Sequence, residues 1–207
     1  MRVAFGTVVY PKALRYSSDY AQSINSQVGR EFDVLLVSDG LSYLQRNDLQ
    51  QLLRRKTIWD IPSKQLSIPD LRIELLKAAY RYGYDVLVLG DFDDTYAPTR
   101  VQTMANNLTG KQAFCYHNLD VEGHPLFSHI PSETNTIEQI IDSNYLGFGN
   151  TAINLQNIPI GFINSLSGAP EVFDWYFYTL LLLTGKSGIY IPECLTNYRI
   201  YSGNMAG

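Results

Sequence analysis

The stretch Val86-Leu87-Val88-Leu89-Gly90-Asp91-Phe92-Asp93-Asp94 runs four apolar residues into three carboxylates. Asp85 to Leu89 reads as a strand buried on both faces, the pattern of a parallel sheet covered by helices. Packing gives no reason to end such a strand in clustered negative charge. The carboxylates repel one another, and burying them unpaired is costly. A hard divalent cation removes that repulsion, and Mg²⁺ or Mn²⁺ prefers oxygen ligands. On an extended chain Asp91 and Asp93 would point to the same side. The plainer alternative is an acidic, solvated turn capping the helix expected after Pro98.

The segments upstream alternate in the same manner. Val3 to Tyr10 reads as a strand closed by Pro11, and Leu14 to Val28 as a helix. Phe32 to Val37 is an apolar strand ending in Ser38-Asp39-Gly40, followed by a helical Leu41 to Arg55 and a short strand from Lys56 to Trp59. Pro69 opens a helix through Arg81, with Leu71, Leu75, Leu76 and Ala79 on its apolar face. This β-α-β-α-β order predicts an α/β fold with a mostly parallel central sheet flanked by helices. Ligands of such sheets bind beyond the carboxyl ends of the strands, where both Asp39 and the acidic cluster fall.

Downstream the pattern loosens. Strands are expected at Gln112 to His117 and at Pro125 to Ile130, joined by a turn. A helix is expected from Glu133 to Ser143, with Ile137, Ile140 and Ile141 inward. Pro170 to Thr184 reads as an apolar helix stopped by Gly185, and Gly188 to Ile200 as two short strands joined at Pro192. No repeat or linker interrupts 207 residues, so one domain is expected over 1–207.

Composition narrows the class. A 45% hydrophobic, 17% charged chain is that of a globular protein, and a net charge of −4 with no Lys/Arg run argues against a nucleic-acid partner. Two cysteines, Cys115 and Cys194, make no disulfide framework, and no segment has the length of a transmembrane span. The N-terminus lacks the pattern of a cleaved leader. The expected location is cytoplasmic, at most peripheral to a membrane. Cys115, His117, His124 and His129 match no common zinc spacing, and His117 is expected to line the cleft.

Several motifs together carry a resemblance. Leu89-Gly90-Asp91-Phe92-Asp93-Asp94 with Pro98 resembles the "LDxDD…P" signature of family-2-type GT-A glycosyltransferases. Ile68 to Tyr84 is similar to that family's "ARN-x-G…A-x-G" helix, with Arg72 near the arginine position. Val37-Ser38-Asp39-Gly40 resembles its "VDDGS" loop, and Thr7 to Pro11 its first strand and nucleotide loop. Pro170 to Asp174 followed by Gly185 resembles the "ED…G" helix, and Tyr190 to Glu193 with Tyr198 to Tyr201 resembles "yiPe…YRxH". Ser38, Phe173 and Tyr201 depart from the pattern, and Gly147 to Asn150 takes the place of the acceptor-side loop.

The resemblance implies a GT-A, Rossmann-like fold with a nucleotide-sugar half (1–98) and an acceptor half (99–207). It implies transfer of a sugar from a UDP- or GDP-sugar to a hydroxyl of a glycan, lipid-linked or protein acceptor, with inversion. Val9, Tyr10, Pro11, Asp39, Arg72, Asp91, Phe92 and Arg199 would contact the nucleotide sugar, and Asp91, Asp93 and Asp94 the Mn²⁺ or Mg²⁺. Asp174 would be the general base, desolvated among Phe173, Trp175 and Phe177. From its chemistry alone it equally complements a helix dipole. Arg72 likewise reads as paired with Asp70 or Glu74, and Arg199 as a surface ion pair. Two other functions stay open, a nucleotidyltransferase and a non-catalytic nucleotide- or sugar-binding domain. No G-x-G-x-x-G follows a strand, which disfavours a dinucleotide oxidoreductase.

Overall fold

A computed structural model describes residues 1–200. The first half follows the expected alternation. In order come β1 (Val3–Val9), α1 (Ser17–Asn25), β2 (Asp33–Ser38), α2 (Tyr43–Leu52), β3 (Thr57–Asp60), α3 (Ile68–Arg81) and β4 (Val86–Leu89). Next are β5 (Thr95–Tyr96), α4 (Arg100–Asn106), β6 (Phe114–Val121), β7 (His124–Pro125) and β8 (Glu133–Thr134). The chain then forms β9 (Thr151–Asn154), α5 (Ile160–Asn164), α6 (Phe173–Leu183) and β10 (Gly188–Asn197). The main path of the sheet is β3-β2-β1-β4-β9-β6-β10-β5. β3, β2, β1 and β4 are parallel, and β9 is antiparallel to both β4 and β6. Two reversals restore direction, so β6 and β10 run with β4.

Strand periodicity sorts the core into two layers. Ala4, Leu35, Val37, Leu87 and Leu89 face α3, α5 and α6, whereas Val3, Phe5, Val34, Leu36, Val86 and Val88 face α1, α2 and α4. Each apolar run therefore serves both faces, as a strand covered on two sides must. The start of α3 is fixed locally: the Ser67 side chain accepts from the Asp70 N–H at 3.3 Å, with Pro69 in the first turn. That start lies at the rim where β1, β2 and β4 end. The topology brings the starts of β9 and α6 to the same rim.

Four local expectations need correction. Leu14 to Val28 is a 3₁₀ segment, Pro11–Tyr16, followed by the shorter α1. Pro125 to Ile130 contributes only the end of β7. Glu133 to Ser143 is no helix: β8 pairs with β10, and one 3₁₀ turn, Ile137–Gln139, follows. Buried Thr134 is claimed by the Tyr116 and Tyr145 hydroxyls at 2.7 and 2.8 Å, and Ile141 is exposed. Tertiary contacts here override the helical spacing. Gly188 to Ile200 is one strand with a bulge after Ile191 rather than two strands. No helix among the described residues is long and apolar enough to cross a membrane.

Candidate functional site

Where β4 ends, the chain turns instead of staying extended. The Asp94 N–H donates to the Asp91 carbonyl at 3.3 Å, and the Tyr96 hydroxyl donates to the same oxygen. The turn sets Asp91 and Asp94, rather than Asp91 and Asp93, around Gly149: a methyl group there would stand 2.9 Å from Asp91 Oδ2 and 3.5 Å from Asp94 Oδ2. Phe92 is buried and stacked on Tyr20 with ring centroids 4.3 Å apart. Its side chain belongs to the core, which leaves only its backbone for the nucleotide-sugar contact the resemblance implied.

Asp94 is 2% exposed; its Oδ1 accepts the Arg199 N–H at 2.9 Å, and its Oδ2 has no partner among the described residues. Burial first, then repulsion from Asp91, pushes its carboxyl up to about 8, against the pull of the Arg199 N–H. Asp91, whose side chain keeps 39% of its surface open, is shifted the same way by its recessed position, with Arg72 opposing. Among the described residues no three His, Cys, Asp or Glu side chains converge into a ready cage. An orphaned carboxylate oxygen beside a second carboxylate nevertheless fits Mg²⁺ or Mn²⁺, which keeps waters and substrate phosphates in its shell.

Arg72 joins this centre to Asp174. It forms an ion pair with Asp174 Oδ1, lies 3.8 Å from Asp91 Oδ1, and stacks over the Phe148 ring at 5.2 Å. The Phe148 N–H donates to Asp174 Oδ2 at 3.0 Å, so both oxygens of that carboxylate are engaged. Phe173 and Phe177 turn into the core, and the expected apolar surroundings of Asp174 are replaced by a guanidinium. The local partners suggested for Arg72 are occupied elsewhere. Asp70 accepts from Ser67 Oγ at 2.7 Å, and Glu74 pairs with Arg81 at 2.9 Å.

The remaining residues fall around the same rim. The Asp39 N–H donates to the Val9 carbonyl at 2.9 Å, which places Asp39 beside Val9 and Tyr10 at the ends of β1 and β2. The Val9 side chain is fully buried, whereas Tyr10 is half-buried and Pro11 exposed. The Arg199 side chain reaches Asp19 at 2.8 Å and lies 4.4 Å from the Tyr16 ring centre. Tyr201 lies outside the described residues.

Behind the site stands a group that sequence reasoning missed. Arg100, fully buried at the start of α4, donates to the Leu89 carbonyl at 2.5 Å, the Gly149 carbonyl at 3.0 Å and His117 Nε2 at 3.2 Å. His117 is therefore internal and does not line the cleft. Accepting from Arg100 at Nε2 leaves the His117 proton on Nδ1, which donates to the Asn118 carbonyl at 2.7 Å. Burial first, and the Arg100 charge second, hold the imidazole down to about 3.

An unfolded chain titrates this ring at about 6.5. Neutral His117 thus contributes stability fully above that pH and loses it as the pH falls toward 3. His117→Gln keeps an acceptor for Arg100 without a titrating ring. Melting temperature followed from neutral to acidic pH should fall more steeply for the wild type than for H117Q.

No protein-family model and no curated protein matches the sequence. Solved structures do. Residues 1–349 of TarS from S. aureus, in complex with UDP-GlcNAc, superpose with a TM-score of 0.70 over 99% of this chain at 12% identity. The mannosyltransferase PcManGT from Pyrobaculum calidifontis, in complex with GDP-Man and Mn²⁺, gives 0.67 over 98% at 12% identity. The bifunctional glycosyltransferase WbbM gives 0.64 over 92% at 14% identity.

The chain has the GT-A fold. It spans 60% of the TarS 1–349 chain, 58% of PcManGT and 39% of WbbM. The sheet of this GT-A fold takes strands from both halves, and Arg72 and Asp174 meet across 102 positions of sequence.

Proposed function

We propose that the protein is a metal-dependent, inverting glycosyltransferase that moves a sugar from a UDP- or GDP-sugar to an acceptor hydroxyl. The observation that carries this reading is the pairing of two carboxylate centres at one rim, Asp91/Asp94 and Asp174, with Arg72 between them. Asp91 and Asp94, with Asp93 on the same turn, would hold Mn²⁺ or Mg²⁺. When bound, the cation offsets the charge of the departing diphosphate. Asp39, Val9, Tyr10 and Pro11 form the edge against which a nucleotide base would lie, and Arg199, whose N–H holds Asp94 Oδ1, would bring a cation to the nucleotide sugar. GT-A structures bound to UDP-GlcNAc and to GDP-Man with Mn²⁺ support a nucleotide-sugar donor and a divalent cation.

Arg72 decides when Asp174 can act. With Oδ1 held by the Arg72 guanidinium and Oδ2 by the Phe148 N–H, Asp174 is a poorer acceptor for the proton of an incoming hydroxyl. A diphosphate entering beside Asp91 competes for the guanidinium, because Arg binds phosphate and carboxylate alike. Once Arg72 turns to the donor, Asp174 Oδ1 is released and takes the proton as the hydroxyl oxygen attacks the anomeric carbon. The two centres lie in different halves of the sequence, 1–98 and 99–207, as a donor half and an acceptor half would require. The acceptor is a soluble glycan, a lipid-linked glycan or a protein.

Calorimetry with a panel of UDP- and GDP-sugars, with and without Mn²⁺, tests the reading. Metal-dependent binding of one donor, with slow donor hydrolysis or transfer, is the expected result. Binding of a nucleoside triphosphate with a sugar phosphate would replace it with nucleotidyl transfer. Binding with neither hydrolysis nor transfer would leave a non-catalytic domain.

A further inference from the structure

Arg100 has no carboxylate partner within salt-bridge distance among the described residues, although it is 0% exposed and its Nη1 has no partner there either. A buried guanidinium is costly, and an apolar side chain of similar volume would serve a core at least as well. What it does hold is specific. Its Nη2 ties the last carbonyl of β4, on Leu89, to the Gly149 carbonyl, and Thr196 Oγ1 of β10 adds a second donor to Gly149 at 3.1 Å. Its guanidinium packs over the Tyr96 ring at 4.7 Å, and Tyr96 in turn donates to the Asp91 carbonyl.

The turn it grips, Phe148–Asn150, touches both carboxylate centres. Gly149 passes so close to Asp91 and Asp94 that a methyl group would meet Asp91 Oδ2 at 2.9 Å. One residue earlier, the Phe148 N–H holds Asp174 Oδ2 at 3.0 Å. The side chain of Asn150 anchors the turn from below, donating to the His117 and Tyr145 carbonyls at 2.5 and 3.0 Å. Gly149 is not in the left-handed region, so its backbone does not itself demand glycine. The demand comes from the carboxylates it faces.

We propose that Arg100 and Gly149 form a clamp that positions Asp91 and Asp94 for the donor diphosphate and its cation, Arg100 acting as a buried positioning residue and Gly149 as the close-approach point. This inference rests on the reading of the acidic turn as the donor site. Residues that orient metal-binding groups lower metal affinity or activity about 10–100-fold when replaced. Gly149→Ala keeps a permitted backbone, so it should fold like the wild type by circular dichroism and melting temperature. Its Mn²⁺-dependent affinity for UDP or GDP should nevertheless fall by roughly 10–100-fold. Gly161→Ala, where the added methyl meets nothing within 4 Å, is the control and should bind as the wild type does. Arg100→Met should lose affinity similarly, and Arg100→Lys, which keeps the charge, should recover part of it.

Calorimetric titration of Mn²⁺ alone, and of UDP and GDP with Mn²⁺, reads all four variants without any acceptor. Wild-type binding with unchanged affinity in G149A would overturn the clamp and leave the donor site standing. Wild-type protein that binds neither nucleotide nor Mn²⁺ would overturn the donor-site reading and the clamp with it.

Discussion

Asp174→Asn is expected to lower the rate of sugar transfer by roughly 10²–10⁴-fold, the usual contribution of a positioned general base. Asparagine matches the shape of aspartate and can still accept the Phe148 N–H, so the start of α6 should hold its place. It cannot take the proton of an attacking hydroxyl. The same change removes the partner of Arg72, whose guanidinium becomes available to phosphate before the donor arrives. Donor affinity in D174N should therefore equal or exceed that of the wild type. Steady-state kinetics with calorimetry on the same variant separates the two effects. Full residual transfer would remove Asp174 from the base role, and weakened donor binding would mean that Arg72 needs Asp174 for its position.

How far this site could be read in the sequence depended on the range of the interactions. The layers of the sheet were legible, because Ala4/Phe5, Leu35/Leu36 and Leu87/Val88 alternate faces at a period set by the strand itself. The acidic turn was legible as charge without packing logic, yet its shape was not. Alternation along an extended chain predicts Asp91 with Asp93, whereas the Asp94 N–H closing on the Asp91 carbonyl brings Asp94 round instead.

The pair of Arg72 with Asp174 has no sequence signal, because Asp70 and Glu74 are nearer along the helix and differ only in being occupied by Ser67 and Arg81. Arg100 left a faint one: a charged residue beside Val101 and Met104, at positions the helix buries. Glu133 to Ser143 misled because isoleucines at helical spacing promise an apolar face, and the sequence does not reveal that β10 recruits Glu133–Thr134 as a strand.

The acidic turn should separate binding from folding most sharply. Asp94→Asn and Asp91→Asn are each expected to weaken Mn²⁺-dependent donor binding by at least about a hundredfold, on the order of 3 kcal/mol. Asp93→Asn should cost less, since Gly149 is flanked by the other two. Stability should move the other way for Asp94. Its Oδ2 is buried without a partner among the described residues, and its carboxyl, held up to about 8, must at neutral pH either take up a proton on folding or stand as an unpaired charge, both at a cost to the fold. Asparagine removes that cost while its Oδ1 can still accept the Arg199 N–H. Metal-free D94N should thus melt no lower than the wild type, and each kcal/mol gained would raise the midpoint by about 2–4 °C. A variant that is firmer as a protein and unable to bind the donor marks a residue kept for chemistry at a cost to the fold. Melting curves of the metal-free proteins, set beside Mn²⁺ titrations, decide the matter: a D94N protein that melts lower yet binds Mn²⁺ normally would make Asp94 a structural residue.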